Sequence, residues 1–164
     1  MAERAYIGLG SNLGDRFRSI RSAIDSIQMI DKVVAESSVY ETEPWGVDEP
    51  QPSYLNAVVA IDTTLDPADF LARLLEIEKA LGRGPHGKNA PRVIDLDILL
   101  FGSRVIYDLQ ADLVIPHPRL HERAFVLVPL AEIAPGLLHP VLGRTVHDLL
   151  LEVDQSGVRR WAPG

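Results

Sequence analysis

The 164-residue sequence contains no cysteine and only 6% aromatic residues. Without thiols there are no disulfides, thiolate nucleophiles, Cys zinc sites or iron–sulfur clusters, so any metal must sit on carboxylates or His. Long apolar runs are missing as well. No stretch approaches the roughly 20 apolar residues of a membrane span, and MAERAYIGLG lacks the basic and then apolar run of a signal peptide, which predicts a cytoplasmic protein. Positive charge is in deficit: 16 Lys and Arg against 23 Asp and Glu give −7, which argues against nucleic-acid or anionic-membrane affinity. H-E-x-x-H, G-x-S-x-G and the Walker-type G-x-x-x-x-G-K-[ST] do not occur, and Gly8, Gly10 and Gly14 are misplaced for G-x-G-x-x-G. What is present is globular material, 46% hydrophobic and 24% charged, which excludes disorder, collagen and coiled coil. Its length predicts one domain over 1–164 that buries its own core and needs no partner, so a monomer is expected.

The charge is unevenly spread. Between Arg83 and Arg92 the basic residues Arg83, Lys88 and Arg92 stand with His86 and no acid, a local reversal that suggests a small polyanionic ligand. Around this segment the elements can be read by periodicity. Ala5 to Leu9 reads as a strand running into the turn-formers from Gly8 to Asp15. Phe17, Ile20, Ile24 and Ile27 form the stripe of an amphipathic helix between Asp15 and Ile30. Val33 to Glu41 and Tyr54 to Asp62 read as strands flanking a long Pro-rich loop, a candidate lid or binding loop. Asp66, as a cap, and Pro67 open a second helix that continues to Gly82. Val93 to Phe101 reads as a central strand turned by Gly102-Ser103 into a hairpin with Arg104 to Ile106. Helices over Arg123 to Ile133, with Pro129 inside, and Thr145 to Val153 complete the chain. The order β-α-β-β-α-β predicts an α+β, ferredoxin-like core: a mainly antiparallel sheet with helices on one face, plus a C-terminal helical appendage.

Asp95 and Asp97 are the sharpest chemical feature. At i and i+2 on a strand their carboxylates share a face and can hold Mg²⁺, a hard cation that takes oxygen ligands. The alternative is two solvated Asp on a half-exposed strand. Against it, alternation puts Leu99 and Phe101 on the same face, where paired like charges beside a core need a counter-ion. Arg92 lies three residues before Asp95, so cations and a metal site converge on one sheet edge, as phosphates require. Asn56 in its strand either faces solvent or reads a ligand edge. Trp45, Tyr54 and Phe125 are core residues or ligand stackers, and His117, between prolines and near Arg119 and Arg123, is a candidate phosphate contact. Beyond a metal and phosphate ligand, these residues leave open a Mg²⁺-dependent nucleotidyltransferase or nuclease using the same D-x-D, and a non-catalytic ligand-binding domain of ferredoxin-like fold. Net charge disfavours the nuclease.

Four segments taken together, Gly8-Leu9-Gly10-Ser11-Asn12-Leu13-Gly14-Asp15, Tyr54-Leu55-Asn56-Ala57, Ala90-Pro91-Arg92-Val93-Ile94-Asp95-Leu96-Asp97-Ile98-Leu99 and Ile115-Pro116-His117-Pro118, resemble the 6-hydroxymethyl-7,8-dihydropterin pyrophosphokinase family, from Ala5 to about Pro135. The resemblance implies transfer of pyrophosphate from ATP to the hydroxymethyl group of the pterin, releasing AMP, in folate biosynthesis. It also implies that Asp95 and Asp97 bind two Mg²⁺. By the same resemblance Glu78, Arg83, Lys88, Arg92, His117 and Arg123 line the ATP site. Thr42, Pro44, Trp45, Tyr54, Asn56 and Phe125 form the pterin pocket, with Tyr54 and Phe125 sandwiching the ring and Asn56 bonding its edge. Arg83 and Arg92 are the expected catalytic groups, and the loops around Pro44 to Gln51 and Arg83 to Asn89 the expected lids. The chain departs from the common pattern at Lys88-Asn89, where many members carry Arg-Trp, at Leu75, and at Pro118, which replaces an aromatic of some members.

Overall fold

The computed structural model describes residues 2–43, 53–82 and 93–162. Period-two alternation drives β1 (Glu3–Ser11), which turns Ala5, Ile7 and Leu9 to one face and Tyr6 to the other. The strand continues through Gly8 and Gly10 to Ser11, where the sequence predicts an end among turn-formers. Antiparallel pairing on both sides explains this: β1 runs between β4 (Tyr54–Thr63) and β5 (Asp95–Phe101), and ladder bonds outweigh the weak strand preference of two glycines. The sheet order is β5-β1-β4-β3-β8, with β2 also on β4, and every pairing is antiparallel. This is the ferredoxin-like arrangement.

The single strand expected over Val33 to Glu41 is two, β2 (Lys32–Glu36) and β3 (Tyr40–Thr42), along the same edge of β4. At the break the Ser37 N–H donates to Val58 O, and Ser37 Oγ accepts from Val58 N, both at 2.9 Å. A side chain thus takes over one ladder position. The last strand, β8 (Val158–Arg160), which the sequence reading does not anticipate, closes the sheet against β3.

Helix α1 (Arg16–Gln28) starts where the Asp15 side chain accepts from Arg18 N, and buries Ile20, Ala23, Ile24 and Ile27. Helix α2 (Pro67–Ala80) has Pro67 in its first turn, as expected, but Asp66 makes no side-chain capping bond; the helix opens on the backbone bond from Phe70 N to Asp66 O. Both helices cover one face, with Phe70 edge-on to Phe101 at 6.1 Å and each fully buried large side chain contributing roughly 1.5–3 kcal/mol.

Helices α1 and α2 cover one face as expected, and the expected C-terminal helical appendage takes the other. Helices α3 (Ala124–Ile133) and α4 (Val146–Leu150) pack Val126, Leu127, Leu130, Val146 and Leu149 on the opposite face, against Tyr6, Val58, Ala60, Leu99 and Leu100. The physical reason is that β1, β4 and β5 carry apolar residues on both faces, so both need cover. The last helix is shorter than the predicted Thr145 to Val153, with Thr145 as its cap, accepting from Asp148 N at 3.1 Å.

The hairpin after Phe101 is corrected too. Gly102, at φ +55, turns the chain, and its N–H donates to Arg4 O while Arg104 pairs with Glu3, so the turn is tied to β1. Beyond it β6 (Ile106–Asp108) pairs with β7 (Leu113–Ile115) as a separate two-stranded sheet. A register shift between Tyr6 and Ile7 leaves Leu99 as the extra residue of β5. Leu99 therefore stays on the face of Asp95 and Asp97, but Phe101 packs with the α1/α2 core, contrary to simple alternation.

Candidate active site

The polar end of the α3/α4 face is set by register. Gly10 lies opposite Asp95 on one side and Asn56 on the other, and Asn56 lies opposite Tyr40. Gly8 lies opposite Asp97. One row across the sheet thus reads carboxylate, glycine, amide, and two strand spacings of about 4.8 Å separate the first from the last. The glycines make the floor. A Cβ on Gly10 would come to 3.0 Å from Asn56 Nδ2 and 3.5 Å from Tyr54 Cδ1, and one on Gly8 to 3.3 Å from Leu99 Cδ2. Sequence reasoning takes these residues for turn-formers and misses them as a floor. The signal that could have found them is G-x-G phased inside an alternating strand.

Thr42 faces the same side, opposite Tyr54. Thr42 is 7% and Asn56 8% exposed, and Thr42 Oγ1 and Asn56 Oδ1 have no hydrogen-bond partner among the described residues. Buried polar atoms left so cost about 1–3 kcal/mol each, which marks a place built for a ligand with donors on its edge. Phe125, in the first turn of α3, packs on the core of this face, with the Arg123 guanidinium 5.4 Å from its ring centroid.

Asp95 and Asp97 also border a cleft of about 600 Å³ along the outer edge of β5. Leu71, Leu75, Glu78, Leu113, Val114 and His117 line it with them. Glu78 is 3% exposed and its Oε2 accepts from Leu96 N at 2.7 Å, so this carboxylate is turned to the strand between the two Asp. The His117 N–H donates to Leu99 O at 2.9 Å, and His117 Nδ1 accepts from Arg119 N at 3.2 Å, which leaves the proton of the neutral ring on Nε2. Burial, with Arg123 and Arg119 nearby, outweighs Asp95 and lowers the His117 pKa to about 4. Half-buried Arg123 has its pKa lowered by desolvation first and by Arg119, with Asp97 and Asp95 opposing. The cleft wall therefore presents a neutral imidazole, and the charge of the nearby Arg123 guanidinium is favoured by the two carboxylates.

The expected residues Asp95, Asp97, His117, Glu78, Arg123, Thr42, Tyr54, Asn56 and Phe125 fall around this one region. Pro44, Trp45, Arg83, Lys88 and Arg92, with the basic segment and most of the Pro-rich loop, lie outside the described residues. Two aligned carboxylates make a hard oxygen donor pair that fits Mg²⁺. Among the described residues no helix is long and apolar enough to cross a membrane.

The family model described as 7,8-dihydro-6-hydroxymethylpterin-pyrophosphokinase (HPPK) matches residues 6–135. A 2-amino-4-hydroxy-6-hydroxymethyldihydropteridine pyrophosphokinase of Methylorubrum extorquens is 47% identical over 96% of this chain and 98% of its own length. One of Bacillus subtilis is 42% identical over 96% of this chain and 89% of its own. In fold the chain is similar to Plasmodium falciparum HPPK-DHPS, at TM-score 0.75 and 18% identity over 93% of this chain. It spans 44% of that longer chain. With most of its length matched by the family model and by full-length relatives well above the level of chance, this chain belongs to the 7,8-dihydro-6-hydroxymethylpterin-pyrophosphokinase family.

Proposed function

We propose that the protein transfers pyrophosphate from ATP to the hydroxymethyl group of 6-hydroxymethyl-7,8-dihydropterin, in folate biosynthesis. The observation that carries this reading is the row Asp95, Gly10, Asn56, with a bare floor and buried acceptors on one side of the carboxylates and the β5 cleft on the other. A flat heterocycle with N–H groups on its edge suits the floor; Thr42 Oγ1 and Asn56 Oδ1 accept from it, and Tyr54 and Phe125 offer ring faces. The nucleotide suits the cleft, with its base toward Leu71 and Leu75 and its phosphates toward His117 and Arg123.

In the reaction the pterin hydroxyl oxygen bonds to the β-phosphorus of ATP, the bond from that phosphorus to the α–β bridging oxygen breaks, and AMP leaves with the electron pair while the hydroxyl proton is lost. No side-chain nucleophile is needed, so the protein's work is alignment and charge neutralisation. Asp95 and Asp97 would hold Mg²⁺, two ions in this reading, which when bound supplies neutralisation of triphosphate charge. Arg123 and neutral His117 bind phosphate oxygens through N–H groups. Arg83 and Arg92 stabilise charge on the transferring unit, Lys88 assists in ATP binding, and Glu78 holds β5 in place beside the nucleotide. Pro44 and Trp45 complete the pterin pocket, and the loops that hold these residues exclude water.

The whole chain, 1–164, works as one domain in this reading, supported by β8, which lies beyond the matched residues yet closes the same sheet. A cytoplasmic monomer without nucleic-acid affinity fits the −7 charge and the self-contained core. The test is incubation with ATP, Mg²⁺ and 6-hydroxymethyl-7,8-dihydropterin. AMP formation is expected; ADP would mean a simple kinase, and no turnover would mean a binding module.

A further inference from the structure

A polar contact set outside the cleft and floor joins α1 to β3 and to the start of β4, at the end of the sheet where the proposed pterin pocket lies. Arg16, at the first helical position, donates through Nη1 to Glu41 Oε2 at 3.0 Å and to Ser53 O at 2.8 Å. Glu41 Oε1 in turn accepts from Arg159 Nη2 of β8 at 3.0 Å. A cation at a helix N-terminus meets the positive end of the macrodipole, so Arg16 gains nothing from its own helix and depends on these partners. The pair is half-buried, at 24% and 20% side-chain exposure, where such contacts are less screened than at the surface.

The two acceptors stand at meaningful places. Glu41 is in the three-residue β3, between Tyr40 and Thr42, and lies opposite Leu55, which packs with the α1/α2 core. Ser53 immediately precedes Tyr54, which lies opposite Thr42. A single guanidinium nitrogen therefore ties the β3 end to the β4 start from the back of the sheet. The front of the same strand pair carries Thr42, Tyr54 and Asn56. Three residues make a weak strand, and the strand on the outer side of β3, β8, is equally short.

We propose that Arg16 is a positioning residue for the pterin pocket: by bridging Glu41 and Ser53 it holds β3 and β4 in the register that sets Thr42 against Tyr54. It touches neither substrate, and its role rests on the reading of that face as the pterin site.

The experiment compares wild type with Arg16→Ala, Arg16→Lys and Glu41→Gln in steady-state assays, and follows hydrogen exchange over 40–42 and 53–56 without ligand. Arg16→Ala should raise the pterin KM about tenfold, with kcat and the ATP KM within about twofold of wild type, and should speed exchange in both segments. Glu41→Gln should act in the same direction, and Arg16→Lys, which keeps a donor, should recover most of the effect. Faster exchange with an unchanged pterin KM would overturn the proposal. So would a parallel rise of both KM values with a lower Tm, the sign of general destabilisation. A wild type that makes no AMP would instead overturn the functional reading on which the proposal rests.

Discussion

The two faces of the sheet are built from the same strands to opposite ends. Toward α1 and α2, every inward residue of β1 from Ala5 to Leu9, of β4 from Leu55 to Ile61, and Leu96 and Ile98 of β5 is apolar and buried. Toward α3 and α4 the same strands are apolar at one end of the sheet, with Tyr6, Val58, Ala60 and Leu99, and carry Gly8, Gly10, Asn56, Asp95 and Asp97 toward the other. Helical cover accompanies the apolar part, and the polar end is where Thr42 Oγ1 and Asn56 Oδ1 have no partner among the described residues and a cleft borders the sheet. One face supplies cohesion, and the other gives up part of it to hold a site.

Substitutions on the two faces should separate stability from turnover. The largest effect is expected from joint Asp95→Ala and Asp97→Ala replacement, which should lower AMP formation by about 10³-fold or more, several kcal/mol of charge stabilisation, while leaving the thermal midpoint close to wild type. Retention of full activity would remove both from the metal role. On the other face, Phe70→Ala opens a cavity at a site with no exposure and should cost about 3–5 kcal/mol in urea unfolding, with KM values of the folded fraction unchanged. A shifted pterin KM would show that the faces are not independent. Gly10→Ala, whose Cβ would crowd Asn56 Nδ2, should raise the pterin KM about tenfold, near 1.4 kcal/mol, with the ATP KM unaffected.

The smallest effect concerns acid stability. The His117 pKa is lowered from 6.5 to about 4, so as pH falls through that interval the unfolded chain takes up this proton before the folded one. Stability from this group is therefore full above pH 6.5 and declines toward pH 4. Wild type should lose on the order of 1 kcal/mol more than His117→Gln between pH 7 and pH 5, read from urea midpoints, with the partial exposure of His117 keeping the figure modest. Equal losses would mean that burial does not hold the ring neutral.

The helices and long strands were legible because each carries a full period of apolar residues. Ile20, Ile24 and Ile27 announce α1, and YLNAVVAID announces β4. The misreadings fall where periodicity is too short or is interrupted. Leu99 shifts the phase of β5 by one residue and moves Phe101 to the other face, which no alternation count reveals. The three-residue β8 offers no period at all, and its pairing with β3 is a contact across more than a hundred residues. Arg16 and Glu41 lie 25 residues apart in the chain, and only folding brings them to 3.0 Å.

The absence of cysteine already confined any metal to carboxylate or imidazole ligands, and D-x-D placed two carboxylates on one strand face, because side-chain alternation is a local property of the backbone. Family-specific motifs added the chemistry those carboxylates serve. What lies opposite Asp95 was decided elsewhere, by strand pairing, which sets Gly10 and then Asn56 beside it through hydrogen bonds between segments far apart in the chain. Register belongs to neither strand alone, so the glycine floor, the buried acceptors of Thr42 and Asn56 and the Arg16 bridge exist only in the folded sheet.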